Sequence, residues 1–148
     1  MRVLVQRVAR AAVHVEGKAV ASIGPGLLLF VAFKAGDRDA DLGWMAEKVA
    51  NLRIFEDDKG KMNRSVLEVG GQILAVSQFT LYADARKGRR PSFDTSAPAE
   101  EARPLFEKFI DILASRGINT RAGQFQAVMQ VELINDGPVT IMLDSPGG

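Results

Sequence analysis

The chain has 148 residues, of which 47% are hydrophobic and 25% are charged, and its formal net charge is +1. This length and balance fit one globular domain over residues 1–148 that buries its own core. There is no cysteine and one histidine, His14, which excludes disulfides and thiolate nucleophiles and argues against zinc sites and a Ser-His-Asp triad. The longest apolar run, 27–33, is too short to span a bilayer and no signal peptide is evident, so we expect a cytoplasmic protein without membrane contact.

The N-terminal third is predicted to form strands. Arg2–Val8 and Ala11–Val15 alternate in polarity and indicate two strands of a hairpin or meander, with Arg7 on the same face as its apolar neighbours. His14 is expected at the rim rather than in a site. Leu27–Phe33 follows a Gly-Pro-Gly turn and is predicted to be a central strand, buried on both faces.

Two segments have the apolar spacing of helices. The first is predicted to begin at Asp37, as its N-cap, and to run to about Leu52. The second is predicted over Pro98–Arg116, where Pro104 either kinks the helix or marks its true start.

The last third, 125–143, is predicted to be two strands joined by a turn at Asn135–Pro138, because Asp-Gly is a strong turn dipeptide. Together these elements predict an α+β fold: a mostly antiparallel sheet or open β-barrel flanked by two main helices.

A polar break in an otherwise apolar strand is the first indication of a site. Residues 73–82 begin as a buried strand, and then Ser77, Gln78 and Thr80 place polar side chains where apolar alternation should continue. Such a strand end either meets water or presents N–H donors and small polar groups to a ligand on a rigid scaffold.

A second candidate feature is the basic loop, which we define as residues 86–90. Its spacing allows several phosphates to be neutralised at once, although a solvated charge run has the same pattern. The cationic residues of this loop are Arg86, Lys87, Arg89 and Arg90.

The Asn135–Thr140 segment has two interpretations. It is either a hairpin turn or, with Gly137–Pro138 in the cis form, a pair of carbonyl oxygens with little side-chain bulk that probes a ligand closely. Taken together, the motifs resemble the D-aminoacyl-tRNA deacylase family of chiral proofreading enzymes over essentially the full chain. The resemblance rests on Gln6-Arg7-Val8, Ser77-Gln78-Phe79-Thr80-Leu81, Arg90-Pro91-Ser92-Phe93 and Asn135-Asp136-Gly137-Pro138-Val139-Thr140.

This resemblance implies a homodimer whose active site lies at the interface. Gly137 and Pro138 would reach into the pocket of the partner subunit, and Arg7 would hold that motif in position. The partner molecule would be the aminoacylated 3′ end of tRNA, with no cofactor and no metal. The reaction would be hydrolysis of D-aminoacyl-tRNA, with clearance of glycyl-tRNA mischarged on tRNA(Ala) as a further activity.

Ser77 and Gln78 would then bind the terminal aminoacyl-adenosine, and the N–H groups of Phe79 and Thr80 are the natural donors to an oxyanion. A nucleophilic Thr80 lacks a base, so we expect it to position substrate while the 2′-hydroxyl of the terminal ribose assists catalysis. The resemblance also places Phe125 and Met129 in the adenosine pocket, although many members have a smaller residue at the position of Gln126.

Two other hypotheses remain at this stage. The protein is alternatively a non-catalytic RNA-binding dimer, or a hydrolase of other small acyl esters or thioesters. Turnover of D-Tyr-tRNA separates the deacylase from the first alternative, and a requirement for the ribose 2′-hydroxyl separates it from the second.

Overall fold

A single long strand, β1 (Arg2–Val15), organises the sheet in the computed structural model, which describes residues 1–146. The prediction of two separate strands in this segment is wrong. One side of β1 pairs with the same partner strand from Arg2 to His14, and these backbone hydrogen bonds keep the chain extended through residues 9–10. Arg7 lies on the buried face, as predicted.

The other strands are β2 (Lys18–Ile23), β3 (Gly26–Ala32), β4 (Phe55–Glu56), β5 (Met62–Arg64), β6 (Gln72–Ser77), β7 (Thr120–Ala122) and β8 (Gln130–Asp144). The main sheet has six strands: β2, β1, β3, β6 and β7 follow one another in that order, and β8, the sixth, pairs with β1. β4 and β5 form a separate two-stranded antiparallel sheet. β1 pairs antiparallel with β2, β3 and β8, whereas β3–β6 and β6–β7 are parallel, so the α+β prediction is confirmed for a mixed sheet. β2 also lies against β6 and β7, which curls the sheet towards a barrel.

The C-terminal segment is one strand with a bulge, not a hairpin. Both halves of β8 pair antiparallel with β1, and the register passes from Val8–Asn135 directly to Gln6–Thr140. Residues 136–139 are therefore extruded opposite Arg7. The local turn signal of Asp-Gly is real, but pairing with β1 on both sides of it prevents a reversal of the chain.

Two helices cover one face of the sheet: α1 (Asp39–Asn51) and α2 (Ala99–Ser115). Asp37 is not the N-cap, because its carboxylate is 2.8 Å from the buried N-terminal ammonium of Met1 and accepts the Lys34 N–H. The N-cap is Arg38. Pro104 lies inside α2 rather than at its start.

Two apolar layers meet at β3, which is buried on both faces as predicted. Leu27 and Leu29 pack in the core beneath the helices, whereas Leu28 packs in a second cluster with β1, β2 and β6. This packing fixes the carboxyl ends of the parallel strands β3 and β6. Within residues 1–146 no helix is long and apolar enough to cross a membrane.

Candidate active site

A cavity of about 580 Å³, which we call the main cavity because the predicted site residues line it, lies at the carboxyl ends of β3 and β6. Ser77, Gln78, Phe79, Phe125 and Met129, which were predicted as site residues, all line it. The cavity is also lined by residues 31–33, Val76, Ala97, Ala99, Ala102, 126–127 and Val131. None of these residues, all within the described part of the chain, has an ionisable side chain.

The predicted polar break marks a change of structure. β6 ends at Ser77, and one 3₁₀ turn, Phe79–Tyr82, follows instead of a continued strand. The Gln78 N–H donates to the carbonyl of Val31 at 2.7 Å, which ties the start of the turn to β3. The Ser96 hydroxyl donates to the Phe79 carbonyl at 3.2 Å and holds the turn from the other side.

Two backbone N–H donors at the start of this turn have no acceptor among residues 1–146. These are the N–H groups of Phe79 and Thr80, as is usual for the first residues of a helical turn. The hydroxyl of Thr80 accepts a hydrogen bond from the Gln78 side-chain amide, and Thr80 is not among the residues that line the main cavity. The Phe79 side chain is 55% exposed, so it does not pack in the hydrophobic core.

The aromatic wall of the main cavity is braced by α2. The Phe125 ring lies 6.0 Å from that of Phe106, and the Arg103 guanidinium lies 4.7 Å from the centre of the Phe125 ring. Arg103 also donates to the side-chain oxygen of Gln126 at 3.1 Å. Sequence reasoning missed this brace, although the helical spacing placed Arg103 on the polar face of α2.

Small residues form another part of the wall. Ala97, Ala99 and Ala102 come from the start of α2 and the segment before it, and they leave room where larger side chains would fill the cavity. The recurrence of alanine over 97–102 was the available signal, but alanine is common in helices and did not indicate a site.

Gly137 and Pro138 are not among the residues that line the main cavity of their own chain. They lie exposed on the β8 bulge, and the peptide bond between them is cis. Arg7, which is 7% exposed, donates to the Asp136 carbonyl at 3.1 Å and to the Ile54 carbonyl at 2.6 Å. The bulge is therefore held from beneath by a buried guanidinium.

Asn135 fixes the base of the same bulge. Its side-chain amide donates to the carbonyls of Arg7 and Val139, at 2.9 and 3.0 Å. The Asn135 side chain therefore ties the last extruded residue, Val139, to β1 at the base of the bulge. Sequence reasoning quoted Asn135 only as part of a motif and missed this role.

The basic loop is exposed at all four cationic residues. It projects from a neck where Asp84 and Ser92 exchange two backbone hydrogen bonds of 2.8 Å. Arg86 pairs with the Asp84 carboxylate at 2.6 Å, and its hydrogen bonds lower the pKa of Asp84 to about 2. One of the four cations is thus already paired within the loop, which the charge pattern alone did not show.

Comparison with known proteins identifies the family of this chain. The family described as D-Tyr-tRNA(Tyr) deacylase matches residues 4–144. A D-aminoacyl-tRNA deacylase of Heliobacterium modesticaldum is 58% identical over 148 residues, covering 100% of this chain and 99% of the relative. Another from Thermomicrobium roseum is 60% identical over 145 residues, covering 98% and 94% of the two chains.

Solved structures give the same fold. One described as a c-Myc DNA Unwinding Element Binding Protein has a TM-score of 0.94 and 41% identity, covering 99% of this chain and 100% of the other. A probable eukaryotic D-amino acid tRNA deacylase is similar at a TM-score of 0.82 with 20% identity, covering 96% and 97%. The fold and these relatives together define the class as an α+β protein of the deacylase type. The chain belongs to the D-Tyr-tRNA(Tyr) deacylase family.

Proposed function

We propose that this protein hydrolyses the ester bond of D-aminoacyl-tRNA, releasing the D-amino acid and free tRNA as chiral proofreading in translation. Family membership and full-length relatives named for this activity support the proposal. The observation that carries it is the pair of unpartnered N–H groups of Phe79 and Thr80 beside a cavity whose described lining has no ionisable side chain. Such a site stabilises an oxyanion but supplies no base.

The chemistry follows from this inventory. Water attacks the ester carbonyl, and the negative charge that develops on its oxygen is stabilised by the two N–H donors. When the tetrahedral intermediate collapses, the bond to the ribose 3′-oxygen breaks and that oxygen takes up a proton. We assign the proton relay to the 2′-hydroxyl of the same ribose, because no side chain of the main cavity can act as a base.

The terminal adenosine is assigned to the aromatic part of the main cavity. Phe125, braced by Phe106 and Arg103, offers a rigid ring face for the base, with Met129 beside it. Ser77 and Gln78 lie where the β6 strand ends and are assigned to the aminoacyl-ribose.

We further propose that the active form is a homodimer with the site at its interface. Two observations support this: Gly137 and Pro138 are displayed rigidly yet away from their own main cavity, and β8 pairs with β1 alone in the described chain. β8 also carries Ile134 and Met142, each 47% exposed. An exposed strand edge with apolar side chains is well suited to a second copy of the same chain.

The proposed dimer accounts for the selection of D-aminoacyl groups over L-aminoacyl groups. Carbonyls of Gly137 and Pro138 from the partner would form a wall in the direction in which an L side chain must point. L-aminoacyl groups are then excluded without any contact that depends on the identity of the side chain. Glycine has no side chain to collide with this wall. Glycyl-tRNA mischarged on tRNA(Ala) is therefore a second substrate under the same proposal.

Matched tRNA substrates test the reaction. D-Tyr-tRNA should be hydrolysed and L-Tyr-tRNA spared, and a D-Tyr-tRNA ending in 2′-deoxyadenosine should be stable because the proton relay is missing. Equal turnover of both hands would refute chiral proofreading. Full activity on the 2′-deoxy substrate would refute the assisted mechanism alone.

Mixed dimers test the interface. A Gly137→Val subunit retains its own main cavity, and a Thr80→Pro subunit retains its own bulge but loses one N–H donor. Each homodimer should be inactive, whereas the mixed dimer should regain one working site of two. Mixtures that exchange subunits yet stay inactive would refute the cross-subunit site.

A non-catalytic nucleic-acid-binding protein is the second candidate. It is favoured by the exposed basic loop and by the 41% identical structural relative, which is named as a DNA unwinding element binding protein. Tight tRNA binding without deacylation of either hand would select this candidate. Deacylation of D-Tyr-tRNA would reject it.

A further inference from the structure

One polar side chain of the main cavity has no part in the chemistry proposed above. Within the described part of the chain, the polar side chains that line this cavity are those of Ser77, Gln78 and Gln126. Ser77 and Gln78 lie at the end of β6, and the Gln78 amide already donates to the Thr80 hydroxyl. Gln126 follows Phe125, whose ring is assigned to the adenine base. It is therefore the polar residue of the cavity that lies next to the base in this assignment.

The backbone at Gln126 brings it to the same cavity as its neighbour. Gln126 has a φ of +61°, in the left-handed region that residues other than glycine rarely adopt. Neighbouring side chains of an extended strand point to opposite sides, whereas here Phe125 and Gln126 both line the main cavity. A residue keeps such a conformation where surrounding contacts hold it, and these positions are frequent at sites that bind ligands.

Arg103 holds the Gln126 side chain by its oxygen. The guanidinium donates to Oε1 of Gln126 at 3.1 Å and lies 4.7 Å from the centre of the Phe125 ring, so one arginine contacts both residues. The amide nitrogen of Gln126 has no acceptor among residues 1–146, which leaves both of its N–H groups available. Because the oxygen accepts from a cation, the amide is polarised and its N–H groups become stronger donors.

We propose that the Gln126 amide donates a hydrogen bond to a ring nitrogen of the terminal adenine, and that Arg103 is the positioning residue that fixes the direction of this amide. The proposal rests on the proposed function, which places the base on Phe125. Adenine suits such a donor because its ring nitrogens N1, N3 and N7 are acceptors. Stacking on an aromatic ring accepts any base, so this hydrogen bond adds recognition of the base edge that the Phe125 ring alone lacks.

Trinucleotides that differ at one ring atom test the hydrogen bond. Unacylated CpCpA is compared with three analogues in which N1, N3 or N7 of the terminal adenine is replaced by C–H. One of these analogues should bind the protein about three- to tenfold more weakly than CpCpA, the loss typical of one hydrogen bond. Equal binding of all the trinucleotides, or binding of none, would overturn the proposal.

Variants of Gln126 assign that loss to its amide. In Gln126→Ala, CpCpA and the sensitive analogue should bind equally. They should also bind equally in Gln126→Glu, because a carboxylate pairs with Arg103 but has no N–H group to donate. The matched control is Gln124→Ala, since Gln124 is an exposed glutamine of the same loop that does not line the main cavity, and it should keep the full difference. A difference that survives in Gln126→Ala would place the donor elsewhere and overturn the assignment.

Arg103→Met tests the positioning role. Methionine keeps an apolar chain near the Phe125 ring but removes the donor to Gln126. The lost positive charge should weaken the binding of every trinucleotide alike, so the informative quantity is the ratio of the affinities for CpCpA and the sensitive analogue. This ratio should fall below about twofold, because a freely rotating amide gives up most of its contribution. An unchanged ratio would reject positioning by Arg103.

These binding measurements need no hydrolysis, so they separate this proposal from the proposed function. If the analogue difference is found and D-Tyr-tRNA is not deacylated, the proposed reaction fails and the adenine contact stands. Deacylation of D-Tyr-tRNA by a protein that shows no analogue difference would retain the reaction and reject the contact.

Discussion

The bulge that carries Gly137 is sensitive to the addition of a single methyl group. Gly137 has a φ of +116°, where an L side chain is strained, and a Cβ built there would lie 2.5 Å from Nη2 of Arg7 and 3.0 Å from Cγ2 of Val139. Arg7 has little freedom to move aside, because its guanidinium is bound by the carbonyls of Ile54 and Asp136.

The magnitude for Gly137→Ala has two parts. The backbone strain of alanine at positive φ costs about 1–2 kcal/mol, and overpacking against a fixed neighbour costs about 1–3 kcal/mol more. We therefore expect the free energy of unfolding to fall by roughly 2–5 kcal/mol. Relief of the contact moves the bulge on the order of 1 Å, and a displacement of that size at a reacting centre costs roughly 100-fold in kcat/KM.

Gly17→Ala is the matched control. Gly17 also has positive φ, +77°, but a Cβ there meets no atom within 4 Å. It should lose only about 1–2 kcal/mol and keep full activity. Urea unfolding of both variants gives the stability difference, and single-turnover deacylation of D-Tyr-tRNA gives the rate.

Two results would refute this reasoning. If the two variants are equally destabilised, Arg7 yields easily and the bulge is not rigid. If Gly137→Ala is destabilised as expected but deacylates normally, the bulge is a structural element and takes no part in the site.

Three further predictions concern the chemistry and tRNA binding. Thr80→Ala should stay within about tenfold of the parent in single-turnover rate because the N–H is retained, whereas Thr80→Pro should lose roughly 100- to 1000-fold with that donor; an acyl adduct trapped on Thr80 would contradict this. Replacing all four cations of the basic loop by alanine should weaken tRNA binding and flatten its salt dependence by roughly one log-log unit per lost contact, while the rate on bound substrate stays unchanged. An unaltered slope would show that the loop makes no phosphate contacts and is only a solvated surface loop. Deacylation should survive exhaustive chelation once the tRNA is folded, and activity lost in EDTA and restored by one divalent ion would reject the metal-free mechanism.

Local patterns predicted the elements better than their pairing. β3 is buried on both faces, and the two helices lie within two residues of their predicted ends. Asp37 failed as an N-cap because a distant group, the ammonium of Met1, binds its carboxylate. The Asp-Gly turn failed as a hairpin because β1 pairs with both flanks. Both errors come from contacts more than 30 residues apart, which no window of sequence contains.

Some residues of the candidate site could likewise be predicted from the sequence, and others could not. Five predicted residues line one cavity. Ser77, Gln78 and Phe79 do so because they follow the end of β6, which can be read from order along the chain. Phe125 and Met129 were placed there only by the family resemblance.

The N–H donors of Phe79 and Thr80 arise from the change of β6 into a 3₁₀ turn, which the sequence indicated only as a loss of alternation. The sequence did not indicate Arg103 or the alanines that line the main cavity, because arginine and alanine are both common in helices that have no part in a site.

Rigidity is what the proposed selection of handedness requires, and the fold supplies it on both sides of the site. The donors of the 3₁₀ turn are tied to β3 by the Gln78–Val31 hydrogen bond and to the segment before α2 by Ser96. The bulge is tied to β1 by Asn135 and to the core by Arg7. If this wall moved by the width of a methyl group, the site would admit L-aminoacyl groups, because L- and D-aminoacyl groups differ only in the direction in which the side chain points. The buried arginine and the bulge amide are therefore as necessary to the proposed selectivity as the carbonyls they hold in place.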